Sequence, residues 1–353
     1  MRWFHGGGYH QPGLAGFSGL GVSRPTLEAA VRRQVLALSN VQALTNVDVR
    51  GLLTADDQKR VTGVSVRHKE QNGADETQAA DLVVDASGRG SRTPAWLAAL
   101  GCPRPEEESV HIGMGYTTCL FRRRPEHIPG LEGIVLLAAP PDRRLAVLLA
   151  QDNNRWVLTQ GGYLGDHVPA SLPAFLAAVR ELPTPEIYEV IQAAEPLGDP
   201  VAYQFPANLR RRYDRLPNFP EGYLIIGDAL CSFNPIYAQG MTVAALEAEA
   251  LAHCLARGRT RLAPRFFARA YPIIDAAWQT AVGADLAFSE IEGRRSPLTR
   301  FLNGYITRLH RAARRDAQVS IAFLKMINML APPPSILHPR ILWRVFKGNW
   351  RAS

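Results

Sequence analysis

Apolar and polar positions recur with two different periods along this chain, and the changes of period mark its elements. Leu27, Ala30, Val31 and Val35 repeat at helical spacing, which predicts a helix over Ser23–Asn40 with those four residues as its buried stripe. Ser23 or Arg24 opens it, Pro25 suits the first turn, and Glu28 lies near the positive end of the helix dipole. From Val41 to Leu82 β-branched residues alternate with polar ones, which predicts three strands with turns at Asp56–Arg60 and Asn72–Glu76. A short apolar strand, Leu82 to Val84, then ends at Asp85, followed by Gly88, Gly90 and a helix starting near Thr93-Pro94.

Between Val110 and Gly162 the pattern becomes one of longer strands: HIGMGYTTCLFRR, GIVLLAAP, RLAVLLAQ and RWVLTQGG, parted by turns such as PPDRR and DNN. Short connections of that kind predict antiparallel pairing, hence a second sheet and a second domain. Helices are expected at Leu172–Arg180 and Pro185–Ala194, and a strand at Ala202–Pro206. Tyr223 to Ile226 is another apolar strand, running into Gly227-Asp228, a loop with Asn234-Pro235 and Gln239-Gly240-Met241, and a long helix from about Thr242. The remainder is mostly helical, with a break at Pro332–Pro334. No internal repeat is visible.

Length and composition narrow this picture. At 353 residues and 46% apolar content the chain suits two packed domains, and no stretch has the polarity of a disordered segment. The four cysteines (Cys102, Cys119, Cys231, Cys254) are scattered, which argues against a disulfide-stapled fold and a cysteine zinc site and points to a reducing, cytoplasmic setting. No secretory signal and no spanning helix is expected. None of the nine histidines falls in a metal-binding spacing, so no metal is expected and they read as structural or surface residues. The net charge of +8 is uneven: from Gly293 to Ser353 twelve Arg or Lys face only Asp316, a local +11 that leaves −3 for the rest. Such a tail fits a solvated helical face or an anionic partner, with a peripheral membrane contact favoured over nucleic acid because no aromatics interleave with the charges. Val319–Leu330 reads as a buried helix, with an interfacial role as its alternative.

The segment around Gly227-Asp228 carries the most chemistry. A carboxylate at a strand end can accept from ligand hydroxyls. Amides at Gly240, Met241 and Thr242, at the start of a helix, favour an electron-rich carbonyl. Gly240 permits close approach by a flat ligand. That combination suits a flavin, with its ribityl chain at one end and its pyrimidine ring at the other.

Gly227-Asp228-Ala229 through Pro235, with Gln239-Gly240-Met241, resembles the second flavin-contacting motif of the FAD-dependent aromatic hydroxylases, the para-hydroxybenzoate hydroxylase-like monooxygenases. Asp85 resembles the middle motif of that family, an Asp-Gly pair near the FAD pyrophosphate, although Ala86 stands here in place of the glycine. Arg24 corresponds to a helix-start residue touching FAD, and Val47 to a strand residue lining the adenine pocket. The resemblance spans Gly21 to Gly258 and holds in the order of elements. It implies an α/β fold: an incomplete FAD/NAD(P)-binding Rossmann-like domain, an inserted antiparallel-sheet substrate domain and a helical C-terminal region. The segments would be 1–20 (substrate-domain strands), 21–107 (FAD-binding, first part), 108–206 (substrate domain), 207–260 (FAD-binding, second part) and 261–353 (helical region with the basic tail). "Incomplete" refers to the family's opening strand, GxGxxG turn and helix, for which neither His5–Gly8 nor Gly13–Gly21 has the flanking elements. The chain thus reads as such an enzyme without a unit of about 90 residues.

What the resemblance implies about function is an FAD-dependent monooxygenase, a hydroxylase or epoxidase using NAD(P)H and O₂ on an apolar or aromatic substrate. Asp228 would bind the ribityl hydroxyls, Pro235 would wall the ring, Gly240 and Met241 would meet its pyrimidine edge, and Asp85 would lie by the pyrophosphate. No catalytic acid or base is identified. The alternatives are a flavin-dependent reductase or cyclase of isoprenoid substrates, and a flavin-free remnant without activity. Other features are weaker: Ser232 has no evident base, Arg122-Arg123-Arg124 reads as a hairpin end, and Trp156 lacks the neighbouring tryptophan of the paired-Trp motif of flavin-dependent halogenases.

Overall fold

The computed structural model describes residues 1–69 and 75–350. In chain order its elements are β1 (Arg2–Phe4), α1 (Arg24–Leu36), β2 (Val47–Thr54), β3 (Val61–His68), β4 (Glu76–Ala79), β5 (Val83–Asp85) and α2 (Thr93–Ala99). There follow β6 (Glu106–Arg122), β7 (Gly133–Leu136), β8 (Arg144–Gln151), β9 (Arg155–Gly162), α3 (Leu172–Arg180), α4 (Glu186–Gln192) and β10 (Val201–Arg212). The chain ends with β11 (Tyr223–Ile225), β12 (Cys231–Ser232), α5 (Gly240–Leu255), α6 (Leu262–Asp285), α7 (Pro297–Ala313), α8 (Ala317–Ile327) and α9 (Pro339–Trp350). This is a mixed α/β fold with a seven-stranded sheet, order β1-β7-β8-β9-β6-β10-β12, beside a three-stranded and a two-stranded sheet.

Two compact units divide the chain: Met1–Val35, His111–Ala207 and Val282–Ser353 form one, Leu36–Val110 and Asn208–Ala281 the other. In the first, β7, β8, β9 and β6 pair antiparallel in that order, as the short connections predict, and β1 adds parallel to β7. Because side chains alternate along a strand, Cys119 and Phe121, Ile134 and Leu136, Ala146 and Leu148, and Trp156 and Leu158 all face one way. They form one core with Phe175 and Val179 of α3 and Ile187 and Ile191 of α4. Tyr305, Leu309, Ala312 and Ala313 of α7 form a second core with Val319, Phe323 and Met326 of α8 and Val345 of α9, so the segment around Val319 is a core helix.

One helix departs from expectation. Ser23 does cap α1, its Oγ accepting from Thr26 N at 3.4 Å, but no residue of α1 is buried. Leu27, Val31 and Val35 are 40%, 56% and 43% exposed. The periodicity selects which face can be buried; it supplies no covering layer.

In the second unit β2, β3 and β4 form the expected antiparallel sheet, while the Asn72-Gly73-Ala74 part of their second turn lies outside the described residues. β5 and β11 pair parallel. β10 runs on to Arg212, well past Pro206, where the sequence pattern ends the strand. The run stays in strand because its charges are matched: Arg210 pairs with Glu108 and Asp275 and lies over the Trp278 ring, and Arg211 pairs with Glu107.

Candidate functional site

Val83, Val84 and Asp85 lie opposite Tyr223, Leu224 and Ile225, so β5 and β11 finish side by side, with Ile226 N–H donating to Asp85 O at 3.0 Å. Two loops leave together from this carboxyl edge, one beginning at Asp85 and the other at Gly227. That edge is where open α/β sheets receive ligands.

Asp85 is 7% exposed and its carboxylate is spent on its own loop. It accepts from Ser87 N at 2.8 Å, from the hydroxyls of Ser87 and Ser91, and from Thr93 Oγ1, which also meets the Tyr223 hydroxyl. Burial opposes the charge, but the hydrogen bonds from Ser87, Ser91 and Thr93 outweigh it and hold the carboxyl below its ordinary range. What the loop leaves uncommitted is therefore its backbone. Gly88 has φ +84°, and a methyl built on Gly88 or Gly90 would meet nothing within 4 Å.

Gly227, at φ +65°, turns the second loop, and Asp228 stands exposed at its tip. A methyl built on Gly240 would lie 3.9 Å from Asp228 Oδ1, which places the carboxylate beside the start of α5. Between them the chain is rigidly held: Asn234 N–H donates to Asn208 Oδ1 at 2.6 Å, and Asn234 Oδ1 accepts from Ile236 N at 3.2 Å. Pro235 and Met241 are exposed, and the side chain of Gln239, the residue before α5, does not cap the helix. A carboxylate, an open glycine and a helix start thus share one rim, an arrangement able to hold a hydroxylated chain next to a polar ring edge.

Asp85, Asp228, Pro235, Gly240 and Met241 all belong to this pair of loops. Val47 is half-buried at the start of β2 in the same unit. Arg24 belongs to the other unit, where its exposed guanidinium lies 4.0 Å from Glu28. Arg122 pairs with Glu195, and Arg123 pairs with Glu132 and covers the Trp156 ring, so these two arginines serve the sheet.

Two residues that tie the loops escape sequence reasoning. Glu247, fully buried on α5, accepts the Gly227 N–H at 2.5 Å. Arg211, 8% exposed, donates to Ala229 O at 3.2 Å and Arg89 O at 3.3 Å, bracing both loops. The available signal was positional: Glu247 sits two turns into an otherwise apolar helix face. A groove of about 1010 Å³ opens at the opposite end of the same strands, among Lys59, Leu82, Phe219 and Arg261, away from both loops.

The fold is shared with flavin-dependent enzymes. PqsL of Pseudomonas aeruginosa, in complex with 2-aminobenzoylacetate, superposes with a TM-score of 0.60 at 14% identity over 79% of this chain and 71% of that one. The flavin-dependent brominase Bmp2 gives 0.58 at 16% identity, over 85% and 69%. 2-Methyl-3-hydroxypyridine-5-carboxylic acid oxygenase gives 0.51 at 20% identity, over 76% and 65%. No protein-family profile matches the chain. In sequence it is 40% identical over 244 residues to Protein Rv3254 of Mycobacterium tuberculosis, 66% of this chain and 49% of that protein, so the chain spans about half the length of this relative.

Proposed function

We propose that this chain binds FAD at the paired loops and acts in an oxygen-dependent oxidation, as a monooxygenase of an apolar or aromatic substrate with NAD(P)H as electron donor. The observation that carries the reading is the meeting of the Asp85 and Gly227-Asp228 loops at the carboxyl edge of two parallel strands, with the start of α5 beside Asp228. The fold likeness to flavin-dependent monooxygenases supports it.

When bound, the flavin supplies two-electron transfer and oxygen activation. The protein's part is placement. Asp228 would accept from the ribityl hydroxyls. The amides of Gly240 and Met241 would donate to the polar edge of the ring, and Pro235 would lie against it. The backbone of the Asp85–Gly90 loop would serve the pyrophosphate, with the Asp85 side chain as its brace, and Val47 would serve the adenine side.

Halogenases share the fold, but Trp156 is a core residue of β9, only 1% exposed, with no second tryptophan in that cluster, so hydroxylation is the preferred chemistry. The test is the visible spectrum of the purified chain before and after adding excess FAD, with Asp228→Ala alongside. Stoichiometric flavin in the parent and its loss in the variant support the assignment. A protein that stays colourless, or undiminished flavin in the variant, overturns it.

A further inference from the structure

The C-terminal helices are anchored along their inner edges. A methyl on Gly348 would lie 2.8 Å from Ala312 Cβ, so α9 lies directly against α7, and Asn349 Nδ2 donates to Arg308 O at 2.8 Å. Their outer side is therefore fixed in orientation, and it is apolar. Phe301 of α7 is 60% exposed, and Trp343, Phe346 and Trp350 of α9 are 63%, 55% and 74% exposed. The three α9 rings form a row, with centroids 5.9 Å and 5.7 Å apart. A groove of about 500 Å³ lined by Tyr305, Arg308, Leu342, Phe346 and Trp350 joins the row to α7.

Cations border this patch. At about 100° per residue, Leu342, Trp343, Phe346 and Trp350 fall within an arc of about 100°, and Arg340, Arg344 and Lys347 occupy the adjoining arc. On α7 the exposed Arg300 and Arg311 lie to one side of Phe301, and Arg308 shares its face two turns on, in the groove. Asp316 is the one acid from Gly293 onward, and it is engaged by Arg344 at 2.7 Å. An aromatic row with a basic margin and no acid to balance it has the composition of a helix lying in a lipid headgroup layer, tryptophans at the interface and arginines among the phosphates.

We propose that the outer face of α7 and α9 docks this protein on an anionic bilayer surface. Among the described residues no helix is long and apolar enough to cross a membrane, so the contact is peripheral. A second copy suits the face poorly, because it would bring one +11 region against another. Nucleic acid suits it less well, since the three α9 rings pack on one another in a row on a separate arc from Arg340, Arg344 and Lys347, leaving no gaps for bases between them.

The experiment is co-sedimentation of the full chain with phosphatidylcholine vesicles, with and without phosphatidylglycerol, over a range of salt. Tryptophan emission and its quenching by brominated acyl chains are read in parallel. The proposal expects binding to anionic vesicles that weakens with salt, with a blue shift and quenching. It expects a loss of about tenfold or more in W343S/F346S/W350S, and a comparable loss in R300Q/R308Q/R340Q/K347Q. Unchanged far-ultraviolet circular dichroism checks that both variants fold. Three results would overturn it: no binding to anionic vesicles; binding that the aromatic variant leaves intact, as for any polyanion; or a dimer that the aromatic variant splits, without vesicle binding.

Discussion

The Gly227 N–H donates to Glu247 Oε2 across 2.5 Å, joining the turn that carries Asp228 to a carboxyl buried two turns inside α5. Glu247 Oε1 has no partner. Burial, opposed by the Gly227 hydrogen bond and reinforced by the charge of Asp228, pushes this carboxyl up to about 7. Asp228 stands exposed at the tip of the loop, while the Glu247 carboxyl, buried beneath it on α5, holds its proton near neutrality.

That difference has a defined sign. An acid whose folded pKa lies above its unfolded value favours folding at low pH, and the advantage is lost as pH rises from the unfolded to the folded value. With an ordinary value of 4.5 and a folded value of about 7, the loss amounts to about 3 kcal/mol between those pH limits. Glu247→Gln keeps an acceptor for Gly227 and cannot ionise. Its thermal midpoint should exceed the parent's at pH 8 and converge with it toward pH 4.5. Parallel curves across that range would show that Glu247 titrates normally.

Asp85 should behave in the opposite way. Its folded pKa is depressed, so its contribution is present above the ordinary carboxylate range and is lost as pH falls through the folded value. Asp85→Ala strands the donors Ser87, Ser91 and Thr93, and should cost about 2–4 kcal/mol in urea unfolding at pH 7. The difference from the parent should shrink in acid. A cost that does not change with pH would place the effect in packing alone.

The two loops were legible in sequence because their signals are local: an apolar strand, an Asp or Gly-Asp at its end, then glycines. Even the edges of α3 were readable from Leu172 to Arg180. The residues that hold the loops together were not. Glu247 is 20 positions from Gly227, and Arg211 is 122 from Arg89, so no window shows either pair. Nothing local marks Glu247 on its helix or Arg211 in its Arg-Arg-Arg run, and only tertiary pairing makes them interior. The exposed stripe of α1 fails for the converse reason, since Leu27 and Val31 carry the pattern of burial without a described element to cover them.

Arg211 gives the third prediction. Its guanidinium reaches Glu107, Ala229 O and Arg89 O together, a fork that an ammonium cannot reproduce. Arg211→Lys should cost about 2–4 kcal/mol of stability and loosen both loops at once. Hydrogen exchange should rise at Ser87–Gly90 and at Gly227–Leu230 together. A rise confined to one loop would mean that Arg211 does not couple them.

The fourth concerns the amino-terminal segment. His5 stacks on His310 with ring centroids 3.6 Å apart, and His10 Nε2 lies 3.1 Å from His310 Nδ1. Burial, then the proximity of His10 and Arg314, lowers His5 to about 4, and burial followed by Arg314 does the same for His10. These bases are held neutral in the fold but take up protons near 6.5 when unfolded, so each favours folding above that pH and loses its contribution as pH falls toward 4. His5 Nδ1 is buried without a hydrogen-bond partner, so a phenyl ring in its place keeps the stack and removes an unsatisfied polar atom. His5→Phe should be neutral or slightly stabilising at pH 7.5. At pH 5 it should exceed the parent by about 2 kcal/mol, because one protonation penalty is gone. The measurement is urea unfolding at both values, with hydrogen exchange at Trp3 and His10 reporting the segment itself. An equal effect at the two pH values would show that His5 is not among the groups that make this segment acid-sensitive.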